Sequence, residues 1–114
     1  MALQTKEIGD VFVVTGGVLL RDDAATAELD TELRRQLESG RKKLLLDLGQ
    51  TSYLSSVAIG LLAGLHASAT SRGAHLGICN LEPRVRNVLN IVRVLEVLNV
   101  YASLDDALES FKRL

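Results

Sequence analysis

The chain has 114 residues, 47% of them apolar, and a formal net charge of -1. That length suits one compact domain spanning residues 1–114, and the apolar share supplies a core, which excludes wholesale disorder. The near-neutral charge excludes a general nucleic-acid binder, because phosphate backbones call for a clustered positive surface.

Taken in order, Thr5–Ile8, Gly9-Asp10 and Val11–Thr15 read as strand, turn, strand, with Val11, Phe12, Val13 and Val14 as strong strand formers. Gly16-Gly17 breaks the pattern, and Val18-Leu19-Leu20 adds a short strand. Asp22 or Asp23 caps a helix whose Leu29, Leu33 and Leu37 share one face, and Gly40 ends it. Leu44–Leu48 is a short apolar run that fits a central strand covered on one face or both. A helix is predicted from about Val57 to Ser71, then a strand at His75–Cys79. Glu82-Pro83 starts the next helix, with Val85, Val88, Leu89 and Val92 as its inward stripe. Val97–Tyr101 is a last strand, and Ser103-Leu-Asp-Asp resembles a capping box, with Asp106 in the acidic position, opening a helix that ends near Phe111. Helices and strands alternate after residue 22 with short connections, which implies an α/β domain with a largely parallel sheet.

The segment between the central strand and the middle helix carries the most information. Ser55 and Ser56 sit where strand and turn give way to helix. A hydroxyl there serves as an N-cap, and a phosphate there meets the positive end of the helix dipole. On the helix that follows, Ala58, Leu61, Leu62, Leu65 and Ala69 share the face that packs on the sheet. Gly60, Gly64, Ala67 and Ser71 form a second face of small residues, with Ser56 near its edge. Each helical glycine costs ~1 kcal/mol relative to alanine, so this face asks for a reason. Close packing on a neighbouring helix is one; a smooth docking surface beside Ser56 is the other.

These stretches resemble a family. Leu44-Leu-Leu-Asp-Leu followed by Tyr53-Leu-Ser-Ser and Gly60-Leu-Leu, then Pro83-Arg-Val-Arg-Asn-Val-Leu, then Tyr101-Ala-Ser-Leu-Asp-Asp-Ala-Leu are similar to STAS-domain proteins of the bacterial anti-sigma factor antagonist type. The resemblance spans roughly residues 44–108. It implies a SpoIIAA-like fold: a small mixed sheet of four to five strands with about four helices, mainly on one side. It implies that the unphosphorylated chain binds an anti-sigma factor, often a serine kinase, and frees a sigma factor. It implies phosphorylation on the second serine of the pair, Ser56, with Ser55 the second choice, and a serine phosphatase that resets the cycle. Asp22 and Asp23 lie near a region of partner contact in the family, although a cap role alone explains them. With Ser55, Ser56, Val57, Gly60 and Gly64 they complete the expected partner-binding set. Many members have Asp directly before the serine pair and Gly after it, where this chain has Leu54, Val57 and Ala58. Arg93 stands where a helix-ending glycine is common, so the third helix is expected to run on to Glu96. The alternative implied by the same family is a non-cycling scaffold, or a subunit of a signalling or lipid-transport assembly, which Leu54 and Val57 favour.

Other residues point to no chemistry. His66 and His75 have no acidic or thiol partner at ligand spacing, and Cys79, the one cysteine, reads as a buried strand residue with no disulfide. No triad order surrounds Ser56 and no glycine-rich phosphate loop is present, so neither an enzyme nor a cofactor is expected. The N-terminal residues have no apolar signal core and no apolar run reaches the ~20 residues of a membrane span, so a soluble cytoplasmic protein is expected. Val57 and the small-residue face would permit weak homodimers.

Overall fold

The computed structural model describes residues 3–114. Its main sheet holds five strands in the order β1-β2-β4-β6-β7: β1 (Gln4–Ile8), β2 (Val11–Thr15), β4 (Lys43–Asp47), β6 (His75–Cys79) and β7 (Asn99–Tyr101). The β1–β2 hairpin is antiparallel, turning through Gly9 at φ 60°, and every other pairing in this sheet is parallel. Two short strands, β3 (Leu19–Leu20) and β5 (Tyr53–Leu54), pair in parallel outside it. The helices are α1 (Ala24–Glu38), α2 (Ser56–Ser71), α3 (Pro83–Ile91) and α4 (Leu104–Phe111).

Strand alternation sends side chains to two cores. Phe12, Val14, Leu44, Leu46, Leu76 and Ile78 meet Leu29, Leu33 and Leu37 of α1, Leu62 and Leu65 of α2, and Val85 and Leu89 of α3. Val11, Val13, Leu45 and Cys79 meet Ala107 and Phe111 of α4 on the other face. The central strand is therefore covered on both faces, which is why Leu44, Leu45 and Leu46 are all fully buried. The middle helix buries Ala58, Leu62, Leu65 and Ala69, with Leu61 half-buried at the rim. Asp23 is the cap of α1, its Oδ1 accepting the Thr26 amide at 3.1 Å.

Three expectations are corrected. α3 ends at Ile91 and does not reach Glu96. Arg93 adopts φ 63°, its amide donates to Asn90 O (3.0 Å), and the Val94 amide donates to Leu89 O (3.0 Å). This is the left-handed helix stop usually made by glycine, and Gly40 and Gly73 make the same stop after α1 and α2. Val88 and Val92 are exposed, because a nine-residue helix at the sheet edge buries only the Val85–Leu89 pair. The last strand begins at Asn99, since Val97 and Leu98 still donate to Val94 O in the turn that leaves α3.

Candidate functional site

The site lies where two loops leave the carboxyl ends of β2 and β4. Backbone and side chains stitch them together. The Gly16 amide donates to Asp47 O (2.9 Å), Gln50 Nε2 to Gly16 O (2.9 Å) and Thr51 Oγ1 to Gly17 O (2.7 Å). Further along, the Ser52 amide donates to Val18 O (2.8 Å) and the Ser55 amide to Leu20 O (2.8 Å). Gly16 fits because a Cβ there would stand 2.7 Å from Leu48 Cδ2. Each strand end thus fixes the other, and α2 starts from a defined point.

The two serines differ at that start. Ser55 is the N-cap of α2: its backbone is extended and its Oγ accepts the Ala58 amide at 3.1 Å. Ser56 is the first helical residue, exposed, and its hydroxyl has no partner among the described residues. Thr51 is fully buried and committed to Gly17 O, Ser52 is exposed with its Oγ 3.4 Å from Val18 O, and Tyr53 is exposed. Of the serine pair, Ser56 is therefore the hydroxyl presented outward.

The same loops also expose apolar side chains. Val18, Leu19, Tyr53 and Val57 are exposed large hydrophobic residues, all from this pair of loops or the first turn of α2. Leu19, Arg21, Asp22, Tyr53 and Ser55 line a shallow groove beside it. Leu54, standing where many relatives have Asp, points into the core at 7% exposure. The fold places Asp22 in one groove with Ser55 and in another with Val57, on either side of Ser56 in sequence. Asp22 is exposed, whereas Asp23 spends its carboxylate on the cap.

The small-residue face divides. A Cβ on Gly60 would meet nothing within 4 Å, while one on Gly64 would stand 3.3 Å from Arg34 Nη2. Arg34 reaches over from α1, pairing with Asp30 (3.1 Å) and donating to Ser68 Oγ (3.0 Å). Gly64 therefore makes room for an interhelical contact, and Gly60 leaves open surface near Ser56.

Val18, Leu19, Arg21 and Tyr53 were not anticipated as site residues. Their signal was faint: the short strand at 18–20 was legible, but its pairing with Tyr53–Leu54 was not.

Elsewhere, His75 shares a 3.0 Å hydrogen bond with the Tyr101 hydroxyl and meets Phe111 edge-on at 5.0 Å. Burial, with the charge of His66 added, holds His75 below the ordinary imidazole value. Burial and the neighbouring Asp47 charge push the Cys79 thiol up to about 12, so it is inert at neutral pH. Among the described residues, no group of three or more His, Cys, Asp or Glu is placed to hold a metal ion, and no helix is long and apolar enough to cross a membrane.

The outward serine at a helix start, with a five-stranded mixed sheet behind it, coincides with a match of the STAS domain model to residues 2–107. The chain belongs to the STAS domain family. Within it, the sequence is 30% identical over 91 residues to a Bordetella bronchiseptica protein named as an anti-sigma factor antagonist, BtrV, covering 80% of this chain and 78% of that one. This STAS domain is therefore of the anti-sigma factor antagonist type. Its fold superposes with a TM-score of 0.85 on a Thermotoga maritima protein described as an anti-sigma factor antagonist, at 17% identity and covering 97% of this chain and 95% of that one. The anti-sigma factor antagonist SpoIIAA in its unphosphorylated form matches with a TM-score of 0.82 at 16% identity, covering 99% of this chain and 98% of the other. The phosphorylated form of SpoIIAA, from Bacillus, matches at 0.75 with 15% identity, covering 96% and 99%.

Proposed function

We propose that this STAS domain is a phospho-switched antagonist of an anti-sigma factor. Its unphosphorylated surface binds an anti-sigma factor that is also a serine kinase, and so frees a sigma factor. The kinase then transfers the γ-phosphoryl group of ATP to Ser56 Oγ, releasing ADP and the hydroxyl proton, and the complex ends. A serine phosphatase hydrolyses the ester and resets the cycle. Such a cycle runs in the cytoplasm, beside the transcription machinery.

One observation carries this reading: of the serine pair, Ser55 is spent on the helix cap, while Ser56 is exposed with its hydroxyl unpartnered among the described residues. A partner docked on Val18, Leu19, Tyr53 and Val57 would cover it. A phosphate adds about -1.5 to -2 charge at neutral pH. The start of α2 tolerates that charge, so the free domain keeps its fold. The docked partner does not, because the dianion would be desolvated against apolar surface. A tenfold loss of affinity needs only ~1.4 kcal/mol. SpoIIAA, described in both phosphorylated and unphosphorylated forms, has the same fold, and this likeness supports the switch. In this reading Asp22, Gly60 and the outer edge of α2 extend the docking surface, and Asp23, Ser55 and Gly64 support it from beneath. Weak self-association uses the same apolar surface and competes with the partner.

A pull-down with the cognate kinase tests the proposal. Wild type and Ser56→Ala retain the kinase, and Ser56→Asp weakens capture at least about tenfold. Mass spectrometry after incubation with ATP finds the phosphate on Ser56. Equal capture of all three chains would point instead to the non-cycling scaffold that Leu54 and Val57 suggest.

A further inference from the structure

Phosphorylated Ser56 has a cation waiting for it in this fold, an inference that rests on the phospho-switch reading for its physiological setting. β3 and β5 run in parallel with Leu20 opposite Leu54, and the Ser55 amide donates to Leu20 O at 2.8 Å. Arg21 and Ser55 are the next residues after that pair, and both line one groove. Ser56 is the next residue along. Arg21 borders both depressions beside the serine pair: one shared with Leu19, Asp22, Tyr53 and Ser55, the other reaching Val57 and Leu61. It is exposed, and among the described residues it makes no ion pair.

Four charged residues line these depressions, Arg21, Asp22, Asp23 and Asp30, and two of them are committed. The Asp23 carboxylate accepts the Thr26 amide, and Asp30 pairs with Arg34. Arg72 stands at the far end of α2, about 24 Å away at 1.5 Å per residue. Of the charged residues lining these depressions, Asp22 is the uncommitted carboxylate and Arg21 the guanidinium. We propose that Arg21 is the internal counter-ion of phosphorylated Ser56. Phosphorylation draws its planar fork onto two phosphate oxygens, a geometry that guanidinium matches and ammonium does not. The switch then has two marks. The docking surface gains a phosphate, and it loses a free arginine that the unphosphorylated form offers to a partner's carboxylate.

The test installs phosphoserine at position 56 during translation, so it depends on no kinase. The phosphate is titrated by phosphorus NMR through its second ionisation, ordinarily near pH 6. A fixed guanidinium favours the dianion, so the wild-type phosphate ionises about half a pH unit or more below that of Arg21→Gln. Arg21→Lys falls between the two, and Asp22→Asn shifts the wild-type value further down. Circular dichroism establishes that each variant is folded. Coincident curves for wild type and Arg21→Gln overturn the proposal, as does an equal shift from Arg72→Gln, which would make the effect one of net charge. If the kinase pull-down fails while the Arg21 shift stands, the phospho-switch reading falls and the counter-ion survives. If the pull-down succeeds and the curves coincide, Arg21 alone is eliminated.

Discussion

One position along the chain separates two serines with different tasks. Ser55 turns its hydroxyl back to the Ala58 amide, and Ser56 turns its own outward. Losing an N-cap costs about 1 kcal/mol, because one orphan amide at the helix start goes unmatched. Removing a solvated hydroxyl at the first helical position costs little, within about 0.5 kcal/mol. Ser55→Ala is thus expected to lower the unfolding free energy by about 1 kcal/mol and Ser56→Ala to leave it nearly unchanged, as read by urea denaturation. Equal losses for the two would mean that the cap is wrongly assigned. At this scale the serine pair itself was legible, since hydroxyls before an apolar helix are a start signal. Which of the two is free follows from backbone geometry. Arg21 was not legible, because it comes to the serines only through the β3–β5 pairing, across more than thirty residues of chain.

At the level of elements, α2 shows how one row of small residues serves two ends. Gly64 abuts Arg34, so packing explains it, whereas Gly60 faces open space and its packing does not. Gly60→Ala is expected to raise stability by about 1 kcal/mol, the helix-propensity difference, with no clash to offset the gain. If a partner backbone lies along this row, the same change weakens its binding severalfold, and isothermal titration against the anti-sigma factor reads that loss. A variant both more stable and equally tight would remove Gly60 from the docking surface. The helix ends carry the main lesson about legibility. Gly40 announced its stop, and the structure makes it there. Arg93 concealed an identical stop, because burial of Leu89 and partial burial of Val94 against the core outweigh the ~1–2 kcal/mol that a side chain costs in the left-handed region. Residue type predicted the turn only where type and tertiary packing agreed. The alternation of strands and helices was readable for the opposite reason: local pattern and packing coincide in Val11–Thr15, Leu44–Leu46 and α1.

For the molecule as a whole, the sheet separates the core packed by α1, α2 and α3 from the core that α4 covers. α4 closes the second face over Val11, Val13, Leu45 and Cys79, and the site residues lie at the carboxyl end of the strands. On the closed face His75 touches Tyr101 and Phe111. Gly77 beneath them leaves no space, since a Cβ there would lie 2.8 Å from Tyr101 and 2.9 Å from Phe111. His75 is held neutral by this burial, its folded pKa below that of the unfolded chain. Below the ordinary imidazole value of about 6.5 the unfolded state therefore binds more protons than the folded one. The stability that follows is complete above that pH. It is lost progressively as acid is added, until the folded imidazole itself protonates. The lowered carboxylates, Glu32 hydrogen-bonded by Arg35 and Asp10 by Lys43, act in the same direction but only below about 4.5. The interval between about 6.5 and 5 belongs to the histidine. Wild type should hold its urea midpoint from pH 7.5 to about 6.5 and lose it from there to 5, and His75→Gln should hold nearly level over the whole range. An equal slope in both would assign the loss to other groups. Because the site stands on the opposite side of the sheet's packing from His75, the same His75→Gln chain at pH 7.5 should bind the anti-sigma factor as tightly as wild type.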